Sequence, residues 1–170
     1  NKSIFFDKIN HYEINRLINI FIMNNCFILL AGGESKRFNS KIPKPYHSYK
    51  GKALLLHSID KAKKYRQFSK IVVVINKKHK VHIKKLKIKN VKIITGGNTR
   101  AESAYKGLKS IKKNNIKNVM IHDAARPNFS IKLLSKLNNG LKINDCVIPA
   151  IQSTDSVKYK SLNKVSNLKR

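Results

Sequence analysis

The sequence has few acidic residues, few cysteines and no long hydrophobic run. Only 8 of its 170 residues are Asp or Glu, against 37 Lys and Arg, which gives a net charge of +29. No hydrophobic run approaches the ~20 residues that a membrane-spanning helix needs, so the sequence predicts none. The two cysteines, Cys26 and Cys146, lack the spacing of metal ligands. We interpret both as buried thiols of a cytoplasmic protein.

The excess of positive charge is compatible with three kinds of partner: nucleic acid, an acidic membrane surface, or phosphorylated small molecules. A simpler alternative is that most of the lysines are solvated surface. Non-specific nucleic-acid binding combines basic residues with aromatic side chains that stack on the bases. Residues 69–104 are rich in lysine but contain no Phe, Tyr or Trp, which argues against this role. Aliphatic residues interrupt the lysines of 77–92, so we expect an ordered segment there.

The length and composition are those of one globular domain. A chain of 170 residues, 41% hydrophobic and 26% charged, can bury a core of its own. The chain begins with Asn1, and Met23 stands just before the first predicted strand. We therefore interpret residues 1–22 as a leader, and we expect residues 23–170 to form a domain that is incomplete at its C-terminus.

Short β-type runs alternate with helical patterns along the chain. The predicted strands cover 26–30, 70–75, 91–95, 118–122 and 145–149. The predicted helices cover 53–65, 79–86, 100–111 and 130–137; in the first, Leu55, Ile59 and Ala62 recur at helical spacing. This alternation predicts an α/β fold with a mainly parallel sheet flanked by helices. Ligands of such sheets bind beyond the carboxyl ends of the strands, where we look for chemistry.

The first predicted strand opens onto the sequence LAGGESKRFNSKIPKPY. Gly32 and Gly33 allow backbone N–H groups to approach a ligand closely and to form an anion-binding concavity. Arg37 and Lys44 follow in the same loop. The spacing is neither that of a P-loop nor that of a dinucleotide fingerprint, so this loop alone is equally typical of a simple turn.

The third strand opens onto GGNTR and runs directly into a predicted helix. A helix N-terminus carries unpaired N–H groups and a partial positive charge, which together attract anions. Thr99 and Glu102 have the spacing of a capping box, with Thr99 at the N-cap. Arg100 and Ser103 lie one helical turn apart on a shared face. The alternative is an ordinary capped helix without a ligand.

The fourth strand ends in HDAARP. An acidic residue at this position of a chain with so few acids suggests that Asp123 binds magnesium or a hydroxyl group. The alternative is a surface ion pair between Asp123 and Arg126. We interpret His122 as a packed strand residue rather than a catalytic base.

The chain resembles the 2-C-methyl-D-erythritol 4-phosphate cytidylyltransferase family over residues 26–170. The resemblance is carried by the sequences and the order of four motifs: LAGGESKRFNSKIPKPY, GGNTRAESAYKGL, IHDAARP and TDSVK. The resemblance implies a Rossmann-like nucleotidyltransferase fold with the start of a β-arm at the C-terminus. It also implies transfer of a cytidylyl group from CTP to 2-C-methyl-D-erythritol 4-phosphate. The products are 4-diphosphocytidyl-2-C-methyl-D-erythritol and pyrophosphate, and the cofactor is Mg²⁺.

The resemblance assigns roles to residues of this chain. It makes Arg37, Lys44 and Arg170 catalytic, with Arg37 and Lys44 stabilising the transition state. The nucleotide-binding candidates are Ala31, Gly32, Gly33, Gly97, Asn98, Arg100, Ser103, Asp123 and Ala124. The candidates for binding the second substrate are Asp123, Arg126, Ser156, Lys158 and Arg170, and Asp123 is the metal candidate. Two positions depart from the family pattern: Ser35 stands where glycine is common, and Asn98 where an acid is common.

The resemblance further implies a cytoplasmic homodimer that binds neither nucleic acid nor a membrane. Three alternatives stay open. The acceptor could be ribitol 5-phosphate or another sugar or polyol phosphate, although Ala125 favours the methylerythritol enzyme. The chain could belong to a bifunctional enzyme with 2-C-methyl-D-erythritol 2,4-cyclodiphosphate synthase. A basic nucleic-acid-binding protein is the most distant alternative.

Overall fold

The structure, a computed structural model, describes residues 24–35, 40–112, 115–152, 158–161 and 164–167. The chain divides into two compact units, of which the first ends at Leu134 and the second begins at Ser135. The interpretation of residues 1–22 as a leader falls outside the described residues and stays a prediction.

The described strands are β1 (Asn25–Ala31), β2 (Ser48–Tyr49), β3 (Lys52–Ala53), β4 (Phe68–Ile75), β5 (Lys92–Thr95), β6 (Asn118–Asp123), β7 (Lys158–Ser161) and β8 (Lys164–Asn167). The described helices are α1 (Leu54–Tyr65), α2 (Lys80–Lys85), α3 (Arg100–Lys109) and α4 (Ile131–Gly140). Single 3₁₀ turns cover Lys44–Tyr46 and Lys77–His79. No helix of the described part of the chain is both long enough and apolar enough to cross a bilayer.

These elements confirm the predicted alternation. Four of the five predicted strands and all four predicted helices are present, with ends that agree to within three residues. The predicted strand over 145–149 is wrong, since no strand lies in the described residues between Gly140 and Lys158. The side chain of Ile148 is 79% exposed, so it gains no packing energy from a strand, and Pro149 cannot donate a ladder hydrogen bond. Cys146 in this segment is exposed, so its interpretation as a buried thiol is also wrong.

The first unit is built on a four-stranded parallel sheet in the order β5-β4-β1-β6. The two central strands are almost continuously apolar and buried, as strands covered on both faces are. The carboxyl ends of the strands lie in register. Ala31 of β1 pairs with Ile75 of β4, and Ile75 pairs in turn with Thr95 of β5. On the other side Leu30 pairs with Asp123. The loops that follow these four strands therefore meet at one edge of the sheet.

Helices α1 and α3 cover opposite faces of the sheet. Gly107 of α3 lies so close to Ile28 and Val74 that an added Cβ would stand 3.0 Å from Ile28. Phe27 points to the other face, because successive strand residues alternate. On that face, which α1 covers, the centroid of its ring lies 4.8 Å from that of Phe68 and 5.7 Å from that of Phe129. The sheet is thus the middle layer of an α/β sandwich, as the sequence predicts.

The second unit contains the end of α4, residues 141–152 without helix or strand beyond a hydrogen-bonded turn, and an antiparallel hairpin of β7 and β8. Lys158 pairs with Asn167 at the open end of this hairpin. The hairpin agrees with the predicted start of a β-arm.

Candidate functional site

An open cleft of about 940 Å³ lies at the carboxyl edge of the parallel sheet. It is formed by the loops after β1, β4, β5 and β6, where the rule for open α/β sheets places ligands. The lining residues are Leu30, Gly32, Gly33, Glu34, Ser35, Lys44, Pro45, Asn76, Gly97, Asn98, Thr99, Arg100, Ser103, Asp123, Ala125 and Arg126. Three motifs that are far apart in the sequence therefore line one concave surface.

The described part of the loop after β1 presents glycine backbone and the side chain of Lys44 to this cleft. Gly32 and Gly33 follow the strand directly, and Lys44 opens the 3₁₀ turn at the other end of the loop. The hydroxyl of Ser35 accepts a hydrogen bond of 3.0 Å from the backbone N–H of Lys44. Ser35 has a φ of 55°, a region that non-glycine residues adopt rarely. Arg37 lies outside the described residues.

A buried aromatic cluster supports the turn that carries Lys44. Tyr46 and His79 are both buried, and their ring centroids lie 5.4 Å apart. Burial lowers the pKa of His79 and raises the pKa of Tyr46, because each charged form would lose its hydration. Within the part of the chain that the structure describes, the Tyr46 hydroxyl and His79 Nδ1 have no hydrogen-bond partner. This packing fixes the base of the turn while the Lys44 side chain stays exposed to the cleft.

The loop after β5 requires glycine for steric reasons. A Cβ added to Gly96 would lie 2.5 Å from the Ser103 hydroxyl, and one added to Gly97 would overlap the Glu102 side chain. The close approach allows the N–H of Gly97 to donate to the Ser103 hydroxyl at 3.1 Å. The Ser103 hydroxyl also donates to the Gly97 carbonyl at 3.5 Å. Ser103 is 7% exposed and lines the cleft, so two contacts with Gly97 position its hydroxyl there.

The N-terminus of α3 is capped by Thr99, as predicted, but the Glu102 carboxylate binds a different backbone N–H from the one that a capping box uses. The Thr99 hydroxyl accepts from the N–H of Glu102 at 3.1 Å, which confirms Thr99 as the N-cap. In a capping box the Glu102 carboxylate would accept from the N–H of Thr99. It accepts instead from the N–H of Asn98, at 2.7 Å. The carboxylate therefore reaches one residue further and orders the loop that lines the cleft.

The loop after β6 brings an acid between two arginines. The Nε of Arg100 lies 3.4 Å from Oδ1 of Asp123, and the Nε of Arg126 lies 3.3 Å from Oδ2. The surface pair that the sequence left as an alternative is therefore present, together with a second arginine from α3. The two arginine side chains are 68% and 76% exposed, and such exposed pairs contribute only about 0–1 kcal/mol. Little energy is thus needed to turn either guanidinium from Asp123 to an anionic ligand.

The structure brings together most of the residues predicted for the site, and places a few elsewhere. Ala31 and Ala124 are fully buried and do not line the cleft, whereas their chain neighbours Leu30 and Ala125 do. Lys158 lies in β7 of the second unit and is exposed. The predicted residues Arg37, Ser156 and Arg170 lie outside the described residues.

Four polar residues that line the cleft are absent from the candidates predicted for the site: Glu34, Ser35, Asn76 and Thr99. Asn76 follows the carboxyl end of β4, so the rule that pointed to the other loops would have found it. Its side chain accepts from the N–H of Lys78 at 2.9 Å and begins the 3₁₀ turn there. Glu34 lies 3.9 Å from the ammonium of Lys78, and no spacing in the sequence signals this contact.

Comparison with known proteins gives the same assignment from three directions. The family model of 2-C-methyl-D-erythritol 4-phosphate cytidylyltransferase matches residues 25–167. The bifunctional enzyme IspD/IspF of Pelagibacter ubique is 74% identical over 148 residues, which are 87% of this chain and 40% of that protein. The 2-C-methyl-D-erythritol 4-phosphate cytidylyltransferase of Haemophilus ducreyi is 32% identical over 142 residues, covering 82% of this chain and 62% of that one.

A solved structure shares the fold. The crystal structure of 4-diphosphocytidyl-2C-methyl-D-erythritol synthase from Anaerococcus prevotii matches with a TM-score of 0.74 and 27% identity, over 86% of this chain and 64% of that chain. The present chain thus spans less than two thirds of the length of each of these three proteins. The match over residues 25–167 includes every loop that lines the cleft, and on this evidence the chain belongs to the 2-C-methyl-D-erythritol 4-phosphate cytidylyltransferase family of nucleotidyltransferase enzymes.

Proposed function

We propose that the protein transfers a cytidylyl group from CTP to 2-C-methyl-D-erythritol 4-phosphate. The phosphate of the acceptor attacks the α-phosphorus of CTP in line, a new phosphorus–oxygen bond forms, and pyrophosphate leaves. The observation that carries this proposal is the cleft itself. The backbone of three glycines and three cationic side chains face one space at the carboxyl edge of the sheet: Gly32, Gly33, Gly97, Lys44, Arg100 and Arg126.

The cations of the cleft suit the charge that develops in phosphoryl-type transfer. Most of the catalysis in such reactions comes from positioning and from electrostatic stabilisation of the transferred group. We assign Lys44 to the transition state, because it is exposed to the cleft on a turn whose base is buried. Arg37 keeps the same role as a prediction from the resemblance. Arg100, at the N-terminus of α3, can turn from Asp123 to the triphosphate.

We assign cytosine recognition to the two glycine loops and Ser103. Backbone N–H and C=O groups together with a fixed hydroxyl can distinguish the 4-amino edge of cytosine from the carbonyl edge of uracil. Gly32, Gly33, Gly97 and Asn98 line the same cleft as Ser103, which supports this role. Ala31 and Ala124 are fully buried, so any contact that they make with the nucleotide would come from their backbone.

The residues of the cleft fit a magnesium ion that is held mainly by the nucleotide. Mg²⁺ in such sites takes one or two carboxylates, several waters and substrate phosphates. Among the described lining residues the carboxylates are those of Glu34 and Asp123. Asp123 would hold the ion, since its side chain is 35% exposed and its present partners are weakly bound arginines. When bound, magnesium neutralises charge on the triphosphate oxygens.

The acceptor side of the site rests on the resemblance. Arg126 and Asp123 line the cleft, where the arginine can meet the phosphate of the second substrate and the carboxylate can accept from its hydroxyl groups. The roles of Ser156, Lys158 and Arg170 in binding 2-C-methyl-D-erythritol 4-phosphate stay predictions, and so does the catalytic role of Arg170.

Pyrophosphate release tests the proposal. The protein is incubated with CTP, Mg²⁺ and either 2-C-methyl-D-erythritol 4-phosphate or ribitol 5-phosphate, and pyrophosphate is measured with a coupled assay. We expect release with the methylerythritol substrate and little release with ribitol 5-phosphate. Release with ribitol 5-phosphate alone would assign a different acceptor, and no release with any sugar or polyol phosphate would overturn the proposal.

We infer from the resemblance that the protein is a homodimer that acts in the cytoplasm without nucleic acid or membrane partners. Both described cysteines are free thiols, which agrees with a reducing compartment. Light scattering after size exclusion tests the dimer. Binding to DNA that weakens as salt rises, in a protein that shows no preference among nucleotides, would favour the nucleic-acid alternative instead.

A further inference from the structure

Lys61 reaches from helix α1 to the segment that follows the HDAARP motif. Its ammonium donates to the backbone carbonyl of Pro127 at 2.7 Å and to that of Phe129 at 2.9 Å. The same ammonium stands 5.5 Å from the centroid of the Phe129 ring. The residue is half-buried, so its charge is partly removed from water and is directed at two main-chain oxygens.

One helical turn earlier, Ser58 holds the beginning of the same segment. Its hydroxyl is fully buried and donates to the carbonyl of Ala124 at 2.9 Å. Nε2 of His122 also bonds the carbonyl of Arg126 at 2.8 Å, and it must donate because a carbonyl only accepts. Side chains therefore hold four carbonyls between residues 124 and 129.

The residues held in this way include those that face the proposed substrates. Arg126 lies between the carbonyls bound by Ser58 and Lys61, and Asp123 directly precedes them. Both line the cleft and contact each other. The position of the Arg126 guanidinium thus depends on the backbone path of a segment that carries no helix or strand beyond Asp123.

We propose that Lys61 is a positioning residue for this reaction. Its ammonium fixes the path of residues 124–129 and so sets where Arg126 meets the acceptor phosphate and where the adjoining Asp123 lies; this inference rests on the proposed function. Lysine suits the task because an ammonium has three donors and can bridge two carbonyls. Hydrogen bonds from a charged donor are also roughly twice as strong as neutral ones.

Three variants test the inference. Lys61→Met keeps most of the aliphatic stem but has no donor, Lys61→Arg keeps charge and donors, and Lys64→Met is the matched control at an exposed position of the same helix. We expect Lys61→Met to lower kcat by about tenfold and to raise KM for the acceptor, with the Kd for CTP unchanged within about twofold. Lys61→Arg should recover most of the loss, and Lys64→Met should match the wild type.

Amide hydrogen exchange gives a readout that does not depend on turnover. The amides of residues 124–126 and 128–130 should exchange faster in Lys61→Met than in Lys64→Met, while those of β1 and β4 stay protected. If Lys61→Met does not fold, Lys61→Gln, which retains an amide donor, takes its place. Unchanged kinetics and unchanged exchange would overturn the inference. A wild type without turnover would overturn the proposed function instead, and the exchange data would then decide whether Lys61 orders the segment.

Discussion

The hydroxyl of Ser35 accepts a hydrogen bond from the backbone N–H of Lys44 across nine positions of the chain. This contact joins the two ends of the loop after β1 and places Lys44 at the rim of the cleft. Ser35 adopts a left-handed backbone conformation, with a φ of 55°, where it makes this contact. The Ser35 side chain therefore holds the backbone of the residue that we assign to the transition state.

The first prediction concerns Lys44. Lys44→Ala should lower turnover about a hundredfold, on the order of 3 kcal/mol at the transition state, because a cation directed at developing negative charge is lost. The melting temperature should change little, since the side chain is exposed. Lys41→Ala is the control, a lysine of the same loop that is also exposed but does not line the cleft. Turnover near that of the wild type in Lys44→Ala would remove this residue from the mechanism.

The second prediction concerns pH and His79. Burial lowers the pKa of His79 below its ordinary value of 6.5, and the nearby charges of Lys78 and His82 act in the same direction. The backbone of Ala31 and the carboxylate of Glu34 oppose this shift. As the pH falls below about 6.5, the unfolded chain binds a proton that folded His79 does not, so the free energy of unfolding falls. Above that pH this contribution to stability is fully present.

The pH slope of stability is the measurement. Urea unfolding is followed between pH 7.5 and pH 5 for the wild type, for His79→Leu and for His57→Leu, a control at a half-buried histidine of α1. His79→Leu should lose stability less steeply on acidification than the wild type, by up to about 1.4 kcal/mol for each pH unit. An equal slope in His79→Leu and the wild type would show that His79 does not couple folding to pH.

The third prediction concerns the two thiols. Burial raises the pKa of Cys26 to about 11, so this thiol is both protonated and shielded at pH 8. Cys146 is exposed. Alkylation of the native protein should therefore add one group, which Cys146→Ser abolishes, and alkylation in denaturant should add two. Mass spectrometry that finds Cys26 modified in the native protein as fast as Cys146 would contradict the placement of β1 in the core.

Much of the fold could be predicted because the alternation of apolar strands and amphipathic helices is strong in this sequence. The error over 145–149 shows the limit of that reasoning. Val147 and Ile148 resemble strand residues in sequence, but whether an apolar run forms a strand depends on a neighbour that can pair with it, and local pattern does not contain that information. The short β2–β3 hairpin was also missed, although Lys50 and Gly51, both with positive φ, form a two-residue turn there.

The sequence predicted which loops form the site, but it did not predict which side chains contact one another there. The strand ends identified Gly32, Gly97 and Asp123, because parallel strands bring their carboxyl ends together. The sequence did not reveal that Arg100 would reach Asp123, or that Lys61 would bind the main chain beyond it. Such contacts join elements that lie more than twenty residues apart, so they depend on the packing of helices against the sheet.

The most direct test of the central claim, that the cleft at the carboxyl edge of the sheet is a CTP site, is calorimetric titration with CTP and with UTP in the presence of Mg²⁺. We predict one site that binds CTP roughly 5- to 150-fold more tightly than UTP, because groups that pair with the 4-amino edge of cytosine are left unpaired by uracil at a cost of about 1–3 kcal/mol. Ser103→Ala should reduce this preference. Equal affinity of the wild type for CTP and UTP would contradict the account. So would a Ser103→Ala variant that keeps both the CTP affinity and the CTP preference of the wild type.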